Sequence, residues 1–223
     1  MSPSQINLAF DLYGTLLDTT SVAKRLAEHL PKDANVSGIT AEWRKHQLEY
    51  SWRIVAMGRY ENFEVLTRKS LIHVTEEAGY HLDGAAIEDV IAAYDKLDAF
   101  SDVYPALEKL STLPNQILKL TSISIDGQQF SQECRKSDQL CEQNYRPTVA
   151  CCSRRHSMLQ TFPKGIRISR DENRNPFDIV GARNVGMNAI WVDRGGKGWV
   201  DQLGKPTEIV NSLEDVAQII QKL

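Results

Sequence analysis

An aspartate lies where the first apolar run of the chain ends, at a position suited to chemistry. Residues Ile6 to Phe10 favour a β-strand, Asp11 follows directly, and Gly14 permits a tight turn after it. Because ligands of an open α/β sheet bind beyond the carboxyl ends of the strands, Asp11 would face that crevice with the Thr15 hydroxyl nearby. An aspartate placed in this way is a candidate nucleophile. The alternative is an aspartate that only caps a turn.

The residue two places after Asp11 bears on whether a metal takes part. A second carboxylate at that spacing could bind Mg²⁺ or protonate a leaving alkoxide. This chain has Tyr13 there, and a phenol does neither well at neutral pH. The sequence therefore implies no metal and no other cofactor at this site.

One arginine of the long helical pattern between residues 40 and 60 stands out by its position. Helical spacing places it in line with an apolar stripe on one face: Arg44, Leu48, Trp52 and Val55. A guanidinium there calls for an anionic partner. The alternative is an amphipathic surface helix whose Arg44 extends its charged end into water.

A further acidic residue opens a helical pattern near the carboxyl-terminal end. Residues 178–186 are typical of a helix that ends at Gly186, and Asp178 stands at its start. Asp is among the best N-cap residues, so a capping role stands beside a role in chemistry.

The order of the predicted elements indicates the fold class. Strands are predicted over residues 5–11, 117–120, 187–192 and 207–210. Helices are predicted near 19–30, 40–58, 61–79 and 84–96, followed by one that carries Leu107 and Leu110 and by two more over 178–186 and 213–220. Strands that alternate with helices favour an α/β fold with a Rossmann-like parallel core. The four consecutive helices predict an inserted helical cap. We assign residues 1–17 and 97–223 to the core and residues 18–96 to the cap.

The segment from residue 121 to residue 176 departs from this pattern. Only nine of its fifty-six residues are Leu, Ile, Val or Phe, and no helical or alternating period persists. An α/β core needs a strand, a helix and another strand here, and a structureless loop of that length is improbable. One hypothesis is an out-of-frame or mis-spliced stretch between two correct pieces. The alternative is a natural insertion that is disordered or binds a partner.

Charge and cysteine usage exclude several function classes. The net charge is −3 without blocks of like charge, which indicates neither a nucleic-acid surface nor a membrane patch and favours small soluble substrates. The amino terminus lacks a basic flank followed by a long apolar run, so we expect a cytoplasmic protein. All the cysteines fall in the atypical segment, and their spacing matches no paired zinc motif: Cys134, Cys141, Cys151 and Cys152.

Three stretches together carry a resemblance to a known family. FDLYGTLLD, around Asp11, resembles the first motif of the 2-haloacid dehalogenases of the haloacid dehalogenase-like superfamily. TAEWRKHQLEYSWRIVAMGRY is similar to the arginine-bearing cap helix of that family, and NPFDIVGARNVGMNAIWVDR to its last acidic motif. The phosphatases of the superfamily normally have Asp where Tyr13 stands.

The resemblance implies a reaction and roles for residues. Asp11 would attack C2 of an (S)-2-haloacid with inversion, and hydrolysis of the resulting ester would give the (R)-2-hydroxyacid and halide. The resemblance assigns Arg44 to halide or carboxylate binding and Asp178 to the hydrolytic step, with Asn175 beside it. It assigns Thr15 and Tyr13 to positioning in the active-site loop. A homodimer through apolar cap helices is compatible with the sequence.

Two expected elements of the family are missing from the sequence. The family has a Ser/Thr-Asn pair after the second core strand and a lysine before the last motif, and no residue of the atypical segment matches them convincingly: Ser122, Ser124, Lys136 and Lys164. Without a lysine to balance them, Asp11 and Asp178 would raise each other's pKa and weaken the nucleophile. The alternatives to an active dehalogenase are thus an inactive homologue, a non-catalytic binding protein and a phosphatase of the superfamily.

Overall fold

The chain forms two compact units in the computed structural model, which describes residues 7–113, 119–123, 165–169 and 177–221. The core unit comprises Met1–Leu17 and Ala99–Leu223, and the helical unit comprises Asp18–Asp98. The helices of the helical unit are α1 (Ala23–Ala27), α2 (Val36–Ala56), α3 (Phe63–Glu77) and α4 (Gly84–Tyr94). Those of the core unit are α5 (Val103–Ser111), α6 (Phe177–Asn184) and α7 (Val216–Ile220).

A five-stranded parallel sheet forms the centre of the core unit. Its strands are β1 (Asn7–Asp11), β2 (Lys119–Ile123), β3 (Gly165–Ser169), β4 (Asn188–Val192) and β5 (Glu208–Val210). They are hydrogen-bonded in the order β2-β1-β3-β4-β5. β1 therefore lies inside the sheet, between two strands that come much later in the chain.

Both faces of the sheet are apolar and covered by helices. In β4, Ile190 and Val192 belong to one buried cluster with α5 and α7. The alternate residues Ala189 and Trp191 pack instead with Ile179 of α6. This two-sided burial is characteristic of parallel sheets. It confirms the predicted α/β class with a parallel core.

Side-chain caps begin the three long helices of the helical unit. Asn35, Asn62 and Asp83 each accept a hydrogen bond from a backbone N–H of the first turn, at 2.8 to 3.1 Å. Such caps contribute about 1 kcal/mol each. Helix α2 consequently starts at Val36, earlier than the predicted residue 40. Among the described residues, no helix combines the length and the apolar character that crossing a membrane requires.

The packing face of α2 differs from the predicted apolar stripe. Ile39, Trp43 and Gln47 are its buried residues, whereas Trp52 is 48% and Val55 62% exposed. The stripe in line with Arg44 is thus a separate, solvent-exposed side of the helix.

Regular structure extends into both margins of the atypical segment. β2 continues to Ile123, three residues beyond its predicted end, and β3 lies wholly within residues 121–176. All five residues of β3 are buried, so this stretch supplies one of the strands that an α/β core needs here. Residues 124–164 and 170–176, with all the cysteines, lie outside the described residues. The frame-error hypothesis stays a prediction, and the coding DNA read in the other two frames tests it.

Candidate active site

Asp11 is the last residue of β1, and the loop after it is held by its own backbone. Gly14 has a φ of 86°, in the left-handed region that favours glycine, and its N–H donates to Leu17 O at 2.7 Å. The hydroxyl of Thr15, which is fully buried, donates to Asp11 Oδ2 at 3.2 Å. A strand end and a tight turn therefore fix the carboxylate of Asp11.

The register of the sheet brings an arginine to the same place. Ala9 of β1 pairs with Arg167 of β3, and Asp11 lies two residues beyond Ala9. Side chains two apart along a strand share one face, so Asp11 and Arg167 project on the same side of the sheet. Arg167 pairs with Ala189 of β4 on that side, which is the side covered by α6.

Arg167 joins two carboxylates. Its Nη2 lies 2.8 Å from Asp178 Oδ2 and 3.5 Å from Asp11 Oδ1. The arginine side chain is 3% exposed, while those of Asp11 and Asp178 are 19% and 25% exposed. Burial lowers the pKa of Arg167, but the attraction of Asp178 and Asp11 outweighs it and holds the pKa above the ordinary value. A permanent positive charge therefore sits beneath two solvent-accessible carboxylates.

Asp178 lies in the first turn of α6, one residue inside the helix. Asp178 is therefore not the N-cap residue, which was the alternative role considered for it from the sequence. A carboxylate in the first turn interacts favourably with the helix dipole, and here it also pairs with Arg167. Asp11, Thr15 and Asp178, three residues singled out in the sequence, are brought together.

A second ion pair anchors the loop after Asp11. Arg194 donates from Nε and Nη2 to the two oxygens of Asp102, each at 2.8 Å, and Nη2 also donates to Thr15 O at 3.0 Å. Asp102 further accepts from Leu213 N–H at 2.8 Å. Burial opposes ionisation of Asp102, but the hydrogen bonds from Arg194 and Leu213 prevail and hold its pKa below the ordinary value.

The other residues singled out in the sequence are placed as follows. Tyr13 is half-buried two residues after Asp11, and its backbone forms a bridge with Leu17. Asn175 lies outside the described residues, as do Ser124, Lys136 and Lys164. Ser122 lies in β2, opposite Phe10.

Arg44 belongs to the helical unit, where a buried polar network supports it. Its Nη1 donates to Gln47 Oε1 at 3.4 Å, and Tyr94 donates to the same oxygen at 3.0 Å. Gln47, fully buried, donates in turn to Thr67 Oγ1 at 2.9 Å. Burial raises the pKa of Tyr94, while Arg44 acts in the opposite direction. These hydrogen bonds restrict the orientation of the guanidinium.

Sequence reasoning missed Arg167. The sequence offers no matched lysine to balance Asp11 and Asp178, but this arginine lies against both carboxylates. One signal could have found it, since Ile166 and Ile168 flank the arginine in the alternation typical of a strand. Gln47 and Tyr94 were also missed, because a polar residue within a helical pattern gives no sign of its partners.

Solved structures identify the fold. An L-2-haloacid dehalogenase from Xanthobacter autotrophicus superposes with a TM-score of 0.78 at 23% identity, over 97% of this chain and 98% of that chain. The HAD-hydrolase YfnB from Bacillus subtilis superposes with a TM-score of 0.65 at 16% identity, over 97% and 99%. The fold is thus that of the haloacid dehalogenase-like proteins.

Sequence relatives narrow the class to one family. No family model matches the chain. An (S)-2-haloacid dehalogenase of Pseudomonas putida is 31% identical over 217 residues, which is 94% of each chain. One of Pseudomonas fluorescens is 32% identical over 215 residues, 93% of each. The chain belongs to the (S)-2-haloacid dehalogenase family, which confirms the resemblance seen in the three motifs.

Proposed function

We propose that the chain hydrolyses (S)-2-haloacids to (R)-2-hydroxyacids and halide through an ester of Asp11. The observation that carries the proposal is a carboxylate at the end of an interior strand, held by Thr15 and balanced by the buried Arg167. Membership of the (S)-2-haloacid dehalogenase family supports it. A structure of the Xanthobacter relative contains covalently bound chloropropionic acid, as an ester mechanism in that enzyme requires.

The first step forms one bond and breaks another at C2. An oxygen of Asp11 supplies an electron pair to C2 from the side opposite the halogen, and the halide leaves with the carbon–halogen electrons. Nucleophile and substrate are both anions, so their approach is opposed by charge repulsion. Arg167 lowers that cost because its charge is fixed next to Asp11 before the substrate arrives.

The second step restores the nucleophile. Water adds to the carboxyl carbon of the Asp11 ester, and the bond between that carbon and the ester oxygen attached to C2 breaks. One proton of the water goes to the leaving oxygen and the other is released, so Asp11 is again a carboxylate. The hydroxyacid therefore leaves with an oxygen that belonged to Asp11, and the oxygen of the water takes its place in the Asp11 carboxylate. Asp178, 25% exposed and close to Arg167, is suited to accept a hydrogen bond from the attacking water.

Tyr13 argues against the phosphatase alternative. Phosphoryl transfer in this class relies on a metal ion to neutralise charge, and a phenol is a poor ligand for Mg²⁺. The charge at this site comes instead from Arg167, a permanent part of the chain.

Isotope labelling tests the ester directly. With enzyme in excess over (S)-2-chloropropanoate in H₂¹⁸O, a single turnover should place ¹⁸O in Asp11 and leave the lactate unlabelled. Mass spectrometry of the peptide that contains Asp11 measures this. Label in the lactate after one turnover would show direct attack by water and overturn the proposal.

Substitution of the nucleophile gives the complementary test. Asp11→Asn should lower halide release by more than about 10³-fold, because the amide is a poor nucleophile. Asp33→Asn, at an exposed position in the helical unit, is the matched control and should keep wild-type activity. Equal activity of the two variants would contradict the role of Asp11.

The role of Arg44 as halide or carboxylate ligand is part of the proposal. Arg44→Gln should raise KM or lower kcat by about 10²-fold, since a charge-assisted contact is lost. Arg53→Gln is the control, because Arg53 lies on the same helix and its side chain contacts Glu49 and the Tyr50 ring at the surface. Equal kinetics for both variants would remove Arg44 from the site.

Assembly and location complete the proposal. The exposed apolar side of α2, with Val55 62% and Met57 57% exposed, supports a homodimer through the helical unit. Light scattering should show a dimer for the wild type and a monomer for Val55→Asp, while Val200→Asp in the core unit stays dimeric. A monomeric wild type would exclude this assembly. The expected cytoplasmic location is tested by cell fractionation.

A further inference from the structure

Two histidines and a glutamate converge in the helical unit. His73 and Glu77 lie one turn apart on α3, and His46 lies on α2. His46 Nε2 is 3.0 Å from Glu77 Oε2, and His73 Nε2 is 3.1 Å from Glu77 Oε1. Among the described residues this is the one group of three such side chains whose ligand atoms lie within 4.8 Å of one another.

Oxygen atoms lie near the second nitrogen of each ring. Tyr50 Oη is 2.7 Å from His73 Nδ1, and Glu49 Oε2 is 3.7 Å from His46 Nδ1. The two rings stack with their centroids 4.4 Å apart, so both Nε2 atoms are held toward the same carboxylate. Tyr50 thus gives His73 a hydrogen-bonded Nδ1 and an inward Nε2, the usual arrangement of a histidine that binds a metal. His46 Nδ1 is buried and has no hydrogen-bond partner within the described residues, because 3.7 Å to Glu49 is too long for a hydrogen bond.

The distances suit a small metal ion. Tetrahedral zinc with bonds of about 2.0–2.1 Å to nitrogen and oxygen needs neighbouring ligand atoms about 3.4 Å apart. The two observed separations are 3.0 and 3.1 Å, so small side-chain shifts would open the space. Glu77 is 57% exposed, so water can reach the remaining coordination position.

Glu77 differs from the other carboxylates of the helical unit because it contacts two imidazoles, one at each oxygen. The other histidine–carboxylate pairs described in this unit have one imidazole per carboxylate, His29 with Asp89 and His81 with Glu76. Only the cluster on α2 and α3 offers, within the described residues, the two imidazoles that favour a borderline metal.

We propose that His46, His73 and Glu77 bind a divalent transition metal ion, zinc foremost, which cross-links α2 and α3. The ion would replace the two contacts of Glu77 with histidine by three coordinate bonds, one from α2 and two from α3, and the sequence joins these helices only by a short loop. Its role would be to stabilise the helical unit. The site is independent of Asp11 and of the proposed reaction.

Calorimetric titration with zinc chloride tests the proposal. The full chain, freed of any histidine tag, should bind zinc at this site, and the binding should be lost in His73→Gln and in His46→Gln. The cysteines are present in every variant, so any zinc that they bind cancels in the comparison. Tyr50→Phe should weaken binding about 10- to 100-fold, the usual effect of removing a partner of a metal-bound histidine.

Matched controls distinguish the loss of this metal site from the effect of removing any histidine of the helical unit. His81→Gln and His29→Gln should bind zinc as the wild type does, and far-UV circular dichroism without metal should confirm that every variant is folded. Zinc should raise the melting temperature of the wild type and of both controls, but not of His73→Gln. Equal zinc binding by His73→Gln and His81→Gln, or a wild type that binds none, would overturn the proposal.

Discussion

Arg167 is buried and Arg194 is partly buried in the core unit, and they hold their carboxylates in different ways. Arg194 gives two nitrogens to the two oxygens of Asp102, at 2.8 Å each. Arg167 gives one nitrogen to two carboxylates, at 2.8 Å to Asp178 and 3.5 Å to Asp11. Each arginine also keeps Nη1 buried without a hydrogen-bond partner in the described part of the chain. The contrast indicates different roles. The two parallel hydrogen bonds of Arg194 fix the orientation of Asp102, whereas the single nitrogen of Arg167 offsets the negative charge of Asp11 and Asp178.

The surroundings of the two pairs support this division of roles. Arg194 stacks over the Phe100 ring at 4.2 Å, and Asp102 caps the turn before α7 through Leu213. That pair holds the end of the chain and the loop after Asp11 together. Asp11 and Asp178 are more exposed than Asp102, as carboxylates that meet a substrate must be. We therefore expect substitutions at Arg167 to change activity and those at Asp102 to change stability.

The largest effect should come from Arg167→Met. Loss of the positive charge should lower kcat/KM for halide release by about 10²- to 10³-fold. The substitution leaves Asp11 and Asp178 without their cation, but both carboxylates are partly exposed and can be hydrated or protonated, so the free energy of unfolding in urea should fall by only about 1 kcal/mol, less than for a fully buried pair.

The pH profile distinguishes charge balance from a structural role. In Arg167→Met the acid limb of the kcat/KM profile should move to higher pH, because the two carboxylates then bind a proton more readily. Arg167→Lys keeps the charge and should recover part of the activity. Unchanged activity in Arg167→Met would show that the arginine only fills space.

Asp102→Asn should have the opposite signature. Arg194 would lose its anionic partner, which should lower the free energy of unfolding by about 2 kcal/mol, below the cost for a fully buried pair because water reaches the site. Activity per folded molecule should stay close to that of the wild type. Urea denaturation and a kinetic assay at one low temperature measure both quantities. A large fall in kcat without loss of stability would reverse the assignment.

Thr15→Val should have a smaller effect, confined to activity. The change keeps the shape of a fully buried side chain and removes its hydrogen bond to Asp11. We expect kcat to fall about tenfold, the equivalent of one hydrogen bond to a charged group. Thr20→Val, at an exposed position, is the control. If kcat is unaffected, Thr15 does not orient the nucleophile.

The smallest effect should appear in the pH dependence of the free energy of unfolding. The pKa of Asp102 is lower in the folded chain than in the unfolded chain, so its contribution is complete above the unfolded value of about 3.9. The contribution is lost as pH falls through the folded pKa. The difference in unfolding free energy between wild type and Asp102→Asn should therefore shrink below about pH 4. A constant difference down to pH 3 would contradict the assignment.

Local signals were enough to predict one part of the candidate site. The end of a strand, a glycine turn and the start of a helix mark Asp11, Thr15 and Asp178, and all three come together in the core unit. The α/β class followed from the alternation of elements, because a parallel sheet requires helical crossovers. Each of these features depends on a few neighbouring residues, so the local sequence alone is enough to predict it.

The rest depends on pairing between distant residues. Arg167 acquires its role from the register of β3 against β1, and no sequence period encodes register between strands. The weak patterning around it also concealed a strand of five residues. Helix limits were imprecise for another reason, since α1 is confined to Ala23–Ala27 although its helical pattern is longer. Short helices depend on tertiary packing more than on propensity.

The position of β1 between two late strands has a consequence for folding. The Asp11–Arg167 contact joins residues 156 positions apart, so Asp11 is synthesised long before the arginine that balances it. Contacts of such separation form slowly, because a long loop must close first. In refolding experiments, secondary structure should thus return before dehalogenase activity, and activity should appear only at the rate at which β3 docks between β1 and β4.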